Sequence, residues 1–381
     1  MQFPQESGQK IADPIRVMIV DDSAVVRGLE ARMLNPDPAI EIVASVVNGD
    51  VAVKTLPRHD IDVIVLDIEM PVMDGLTALP KLLAIKPSVQ IIMASTLTQR
   101  NAEVSIKAMA AGAADYIPKP STSGLAGADE FRRELLSKIK ALGQAVGRGQ
   151  GGGTAIPRTT ATGTAAAPLA PPAAARPEQF TLRDPGTGRP EILAIGSSTG
   201  GPQALLAFLK SLDTELQLPI LITQHMPPTF TSIFAAHIAK QSPWTCSEGK
   251  DGDPLKANHV YVAPGDYHMT VVRKGAQRVI ALNQEAKENF CRPAVDPMFR
   301  SLATSFGGNV LAVILTGMGA DGCKGGEYIV RTGGTVIAQD KASSVVWGMP
   351  GAAAMAGICS AVLPLNELPS YVNRFVESRR K

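Results

Sequence analysis

The chain has 381 residues, of which 45% are apolar and only 4% aromatic, with a formal net charge of +2. That length favours two domains with largely aliphatic cores, and the near-balanced charge gives no reason to expect a nucleic-acid or membrane surface. No apolar run reaches the roughly 18 residues that a spanning helix needs. The polar N-terminus MQFPQESGQK lacks an apolar signal core, which predicts a cytoplasmic protein. Its four cysteines, Cys246, Cys291, Cys323 and Cys359, form no CxxC pair, as expected of reduced thiols.

Residues 1–14 read as a loose tail. From residue 15 to 142, IRVMIV, IDVIVLDI, QIIMAS and ADYIPK are short, continuous apolar runs. Such runs suit parallel strands covered on both faces. Helical stretches such as SAVVRGLEARML and GLTALPKLLAI alternate with them, the pattern of a doubly wound α/β domain. Residues 143–189 are rich in Gly, Ala, Pro and Thr and offer little to bury, so they read as a flexible linker. The α/β rhythm returns over 190–381. EILAIGSS, PILITQH and VLAVILTG read as parallel strands. HVYVAPG, HMTVVR and RVIALN read as inserted hairpin strands, and TVIAQD and AVLPL complete the sheet.

Ligands of open α/β sheets bind at the carboxyl ends of the strands. In the first domain those ends carry Asp21 and Asp22, then Asp67, then Ser95 and Thr96, then Lys119 and Pro120. Crowded carboxylates need a cation. Mg²⁺ suits a few carboxylates plus waters, and one carboxylate could then attack a phosphoryl group. DDS, LDIEMPVMDG and KP at these positions resemble the response-regulator receiver family. The resemblance implies that Asp67 is the phosphoacceptor and that Asp22 and Asp67 bind Mg²⁺, with Asp21 nearby and the Glu69 carbonyl as a further ligand. It also implies a switch hydroxyl at Ser95, a switch aromatic at Tyr116, a phosphate-sensing Lys119, and often a cis Lys119–Pro120 bond.

In the second domain the first strand runs into Gly196-Ser197-Ser198-Thr199-Gly200-Gly201. Nominally this is G-x-S-x-G, a strand-to-helix turn that exposes a serine. A Gly-rich turn before a helix also cradles phosphates, but the lysine of a P-loop and the G-x-G-x-x-G spacing are missing. His225 ends PILITQH, and Asp321 follows VLAVILTG. A serine nucleophile needs a base, and the base an orienting acid. His237 in a helical stretch and His259 opening a hairpin read as structural, and His268 is a weaker competitor. The order Ser, His, Asp differs from the common α/β-hydrolase order.

GSSTGGP, QHMPPTFT, APGDYHM and LTGMGADGCKG are similar to the catalytic domain of the chemotaxis protein-glutamate methylesterases, which are also protein-glutamine glutaminases. The resemblance implies two doubly wound domains: an N-terminal flavodoxin-like receiver and a C-terminal Rossmann-like methylesterase domain with an inserted β-hairpin. It implies Ser198 as nucleophile, His225 as base and Asp321 as orienting acid, with Thr199 and the Met318 amide as oxyanion candidates. Mg²⁺ would serve the receiver, and ester hydrolysis would need no cofactor. The implied partners are methyl-accepting chemotaxis receptors and a chemotaxis histidine kinase as phosphodonor, and the expected chain is monomeric, binds no nucleic acid and does not insert into a membrane. Two rivals stand beside this reading. A transcriptional regulator would carry a short basic helix-turn-helix output. A non-catalytic adaptor would have no use for Ser198, His225 and Asp321 together.

Overall fold

The structure is a computed structural model and describes residues 13–96, 98–119, 125–149 and 180–380. The first unit holds strands β1 (Ile15–Val20), β2 (Ile40–Val46), β3 (Val63–Asp67), β4 (Gln90–Ser95) and β5 (Asp115–Pro118). They form a parallel sheet in the order β2-β1-β3-β4-β5. Helices α1 (Ala24–Leu34), α2 (Gly49–Thr55), α3 (Gly75–Ile85), α4 (Gln99–Ala110) and α5 (Leu125–Gly149) connect and flank it. β3 is buried along its whole length, as its unbroken apolar run predicts. Polar residues set the helix starts: Asn48 caps α2 and Asp74 caps α3, each accepting a hydrogen bond from an amide of the first turn.

The second unit begins with β6 (Ile192–Ser197), α6 (Gly201–Ser211), β7 (Ile220–Gln224) and α7 (Phe230–Gln241). Strands β8 (Thr245–Glu248) and β9 (His259–Val262) follow, then β10 (His268–Lys274) and β11 (Gln277–Asn283). The chain continues through α8 (Val295–Phe306), β12 (Val310–Ile314), α9 (Cys323–Arg331), β13 (Thr335–Gln339), α10 (Met349–Met355), β14 (Cys359–Leu363) and α11 (Leu368–Ser378). Seven strands form one parallel sheet, β14-β13-β12-β6-β7-β9-β8, and β10 and β11 form a separate antiparallel hairpin. The order reverses at β6 and β12, so the switch crevice opens beside the strand that carries Ser198.

Three expectations need correcting. HVYV is not a hairpin strand: β9 pairs parallel with both β7 and β8 inside the main sheet, and its three buried residues belong to that core. His259 therefore opens a sheet strand. The segment read as a linker is ordered at both ends. Helix α5 runs on to Gly149, and Arg183 N and Gly186 N donate to Cys359 O and Thr335 Oγ1 on the second sheet. The rest of that segment, residues 1–12 of the expected tail, and Pro120 lie outside the described residues.

Two of the apolar clusters contain residues of both units. The Tyr116 ring on β5 stacks on the Phe230 ring at the start of α7, with centroids 4.5 Å apart and planes 10° from parallel. Val346 is buried with Ile117, Phe131 and Leu135, and Met318 and Val345 pack onto that group. At the heart of this contact is a buried polar cluster. Asp115 accepts from Thr199 Oγ1 at 2.6 Å and pairs with Lys138 Nζ at 3.1 Å. Lys138 also donates to Tyr116 O at 2.6 Å and pairs with Glu134 at 3.0 Å. Burial alone would lower the Lys138 pKa, but these two carboxylates outweigh it and raise it. Removing one partner of a buried pair strands the other charge. Lys138→Met should therefore cost roughly 3 kcal/mol or more, read as a lower urea midpoint at neutral pH.

Candidate functional site

At the first sheet's carboxyl edge, Asp21, Asp22 and Asp67 offer oxygens that all lie within 4.8 Å of one another. Lys119 Nζ sits 2.6 Å from both Asp21 and Asp67. Asp21 Oδ1 also accepts from Ser23 N at 2.8 Å, and Asp67 Oδ1 from Ile68 N at 2.8 Å. Burial raises the Asp67 pKa, although Lys119 pulls against it. For Lys119, burial is outweighed by the two carboxylates and its pKa rises. Three clustered carboxylates opposite one ammonium leave net negative charge, a donor set that fits a hard divalent cation. Ser95 is buried and accepts from Ser105 Oγ at 3.2 Å. Glu69 is exposed two residues beyond Asp67. Tyr116 is buried in the contact between the units. Glu30, which sequence reasoning missed, is a buried carboxyl with no hydrogen-bond partner among the described residues. Burial, then the Asp21 charge, push it up to about 8.

At the second sheet's edge, Ser198, His225 and Asp321 follow the adjacent strands β6, β7 and β12. Ser197 is fully buried and donates to Gln224 Oε1 at 2.6 Å. Ser198 is half-buried, and among the described residues its hydroxyl has no hydrogen-bond partner. Ser198 N donates to Thr316 O at 3.0 Å, which stitches the turn to the loop after β12. That turn tolerates no extra atoms. A Cβ on Gly201 would lie 2.0 Å from Gln224 Oε1, and one on Gly317 would lie 2.9 Å from the Ser198 Cβ. The loop that carries Met318 therefore passes directly against the serine.

His225 Nε2 lies 2.7 Å from Asp321 Oδ2. The Asp321 carboxylate also receives Val295 N at 2.6 Å, Asp296 N at 3.0 Å, Gly322 N at 3.0 Å and Asn289 Nδ2 at 2.9 Å. Val295 and Asp296 open α8, so Asp321 sits on a helix N-terminus, where negative charge is favoured. Burial alone would raise its pKa. His225 and these amides reverse that and lower it. Asp296 in turn accepts Gly322 N at 3.0 Å and Gly325 N at 2.6 Å around the start of α9. Burial, then the Asp321 charge, push Asp296 up to about 6.

An ionised Asp321 can only accept, so His225 Nε2 donates to it, and Nδ1 is the nitrogen that carries a lone pair when the ring is neutral. Nδ1 lies 3.4 Å from Cys291 Sγ. Burial opposes charging the ring, but Cys291 and Asp321 outweigh it and raise the His225 pKa well above its ordinary value. The structure brings Ser198, His225 and Asp321 to one edge. The Thr199 hydroxyl is bound to Asp115 of the first unit, and the Met318 side chain packs against the apolar cluster that holds Ile117 and Phe131. His268 is structural: its Nδ1 accepts from Ala294 N, and its Nε2 lies 3.0 Å from Ala286 O. Asn289, Cys291 and Asp296 were missed by sequence reasoning. The one signal available was VDP at a helix start, an acidic first turn. The four cysteines are free, as expected.

Family models match both halves of the chain. A response regulator receiver domain model matches residues 17–125, and a CheB methylesterase model matches residues 193–372. The protein-glutamate methylesterase/protein-glutamine glutaminase 1 of Rhodospirillum rubrum is 54% identical, over 98% of this chain and 98% of its own. Its namesake in Paramagnetospirillum magneticum is 55% identical over 98% and 99%. The protein-glutamate methylesterase/protein-glutamine glutaminase of Azospirillum brasilense is 56% identical over 97% and 94%. Two parallel α/β units, a receiver before a hydrolase-like edge, and relatives matched from end to end converge on one assignment: the chain belongs to the protein-glutamate methylesterase/protein-glutamine glutaminase family.

Proposed function

We propose that this chain hydrolyses glutamate γ-methyl esters, and deamidates glutamines, on methyl-accepting chemotaxis receptors, under control of its own receiver. The observation that carries the reading is the His225–Asp321 contact of 2.7 Å beside the half-buried Ser198, at three adjacent strand ends. His225 Nδ1 takes the Ser198 proton as the oxygen attacks the ester carbonyl, and Asp321 holds the ring and balances its charge. Ser198 is favoured over Ser197 because the Ser197 hydroxyl is fully buried and spent on Gln224. Backbone amides at Thr199 and Met318 are the candidates to hold the oxyanion. His225 then returns its proton to the departing methanol, and water releases the acyl group. A glutamine would lose ammonia by the same route.

In the receiver, Asp21, Asp22, Asp67 and the Glu69 carbonyl would hold Mg²⁺, leaving Asp67 to accept a phosphoryl group from a chemotaxis histidine kinase. The bound ion would neutralise charge on the phosphoryl oxygens. Lys119 and Ser95 would contact the phosphoryl group, and Tyr116 would carry the change outward to Phe230. Docking of Asp115 and α5 on Thr199 and Met318 is the contact such a change would loosen. No helix among the described residues is long and apolar enough to cross a membrane, so a receptor would be met by docking and not along a shared span.

Ser198→Ala should cut methanol release from methylated receptor on the order of a thousandfold or more, while Asp67 still takes up phosphoryl groups from a small-molecule donor. Full activity in this variant would sink the nucleophile assignment. His225 works only when unprotonated, and its pKa is raised, so kcat/KM should climb with pH through a midpoint above about 6.5. A midpoint below that value would contradict the base assignment. Chelation with EDTA, or Asp67→Asn, should remove the gain produced by a phosphodonor and leave the resting rate in place.

A further inference from the structure

The segment 287–291 touches both the receiver and the candidate triad. Glu288 and Cys291 exchange backbone hydrogen bonds of 3.1 and 2.9 Å, closing a two-residue turn. Its central residues, Asn289 and Phe290, both have positive φ, 51° and 64°. Asn tolerates this backbone, but at the second position a glycine is the ordinary choice. Phe290 stands there with 72% of its surface exposed. Its ring meets a cation of the other unit: the Arg133 guanidinium on α5, 4.7 Å from the ring centre. Next to it, Lys287 Nζ pairs with Glu130 of α5 at 2.8 Å. The tip of the turn is thus fastened to the receiver. The base is fastened to the site, through Asn289 to Asp321 and Asp296 and through Cys291 to His225 Nδ1.

We propose that this turn is a lever by which the docked receiver holds Cys291 on His225 and keeps the base from Ser198. Neutral imidazole has one acceptor lone pair. Cys291 and the Ser198 hydroxyl compete for that nitrogen, and here Cys291 Sγ holds it at 3.4 Å. Undocking of α5 frees the tip, the turn relaxes, and Nδ1 becomes available to Ser198. Cys291 is a positioning residue in this scheme. The receiver then restrains proton transfer itself, in addition to covering the substrate's approach. The inference rests on Ser198 and His225 acting as nucleophile and base.

The test is the rate at which a small fluorophosphonate labels Ser198 in the full chain, with and without acetyl phosphate and Mg²⁺. A small probe reports activation of the hydroxyl more than access for a bulky receptor. Phe290→Ala removes an exposed cation–π contact and should raise the resting rate about three- to tenfold. Cys291→Ala leaves Lys287–Glu130 and Arg133–Phe290 in place and should also raise it, with little further gain after acetyl phosphate. Cys291→Ser, which keeps a donor for Nδ1, should return the rate toward that of the parent. The lever is overturned if either Phe290→Ala or Cys291→Ala leaves the resting rate unchanged. Absence of Ser198 labelling in the parent, with or without acetyl phosphate, would instead remove the nucleophile assignment.

Discussion

A carboxylate taken out of water must be given a cation or several N–H donors. Asp321 is nearly inaccessible and is given four N–H donors besides His225. They come from the Asn289 turn, from the start of α8 and from its own loop. The acid can stay ionised only while those three segments remain together. Each segment also carries something else the site uses: Asn289 brings Cys291, α8 brings Asp296, and the loop brings Met318. One buried charge therefore organises most of the second sheet's edge.

The molecule meets the same constraint in two other ways. Asp21 and Asp67 share Lys119, at 2.6 Å from each. That pairing neutralises one charge among three and leaves room for a divalent ion. Asp115 shares Lys138 with Glu134 and takes a hydroxyl from the other unit. The last arrangement is informative because Thr199 is the residue next to Ser198. A receiver carboxylate is satisfied by a group from the hydrolase edge, so separating the units leaves Asp115 short of a donor. Stability of the docked state and the state of the site are thus written into one hydrogen bond.

What the sequence discloses follows from range. Strands such as VIVLD and VLAVI are buried throughout, and unbroken apolar runs report that directly. The placement of Ser198, His225 and Asp321 at one sheet edge was legible because each ends or follows such a run. β8 was not seen: TCSE is polar and lies at the sheet's edge. β9 was misread because HVYV followed by APGD has the length and turn residues of a hairpin arm. Cys291, Asn289 and Lys138 left no local trace. Cys291 meets a histidine 66 positions away and Asn289 an aspartate 32 positions away. Lys138 lies on an amphipathic helix where a lysine ordinarily faces water. Its buried partner Asp115 lies on β5, outside the helix whose pattern is read locally.

The contact between units also sets what kind of signal can pass. Tyr116 and Asp115 are neighbours on a strand, so their side chains leave on opposite faces. Tyr116 stacks on Phe230, at the head of the helix that follows the His225 strand, while Asp115 reaches Thr199 beside Ser198. A turn of the Tyr116 ring would release Phe230 and disturb the backbone that aims Asp115. Meanwhile α5, held to β5 through Lys138 and Tyr116 O at 2.6 Å, carries Glu130 and Arg133 to the 287–291 turn. Three contacts, on the serine side, the histidine side and the acid's turn, thus depend on the pose of one short strand. A change at β5 would reach the serine and histidine sides directly, and the turn through Lys138 and the α5 residues Glu130 and Arg133.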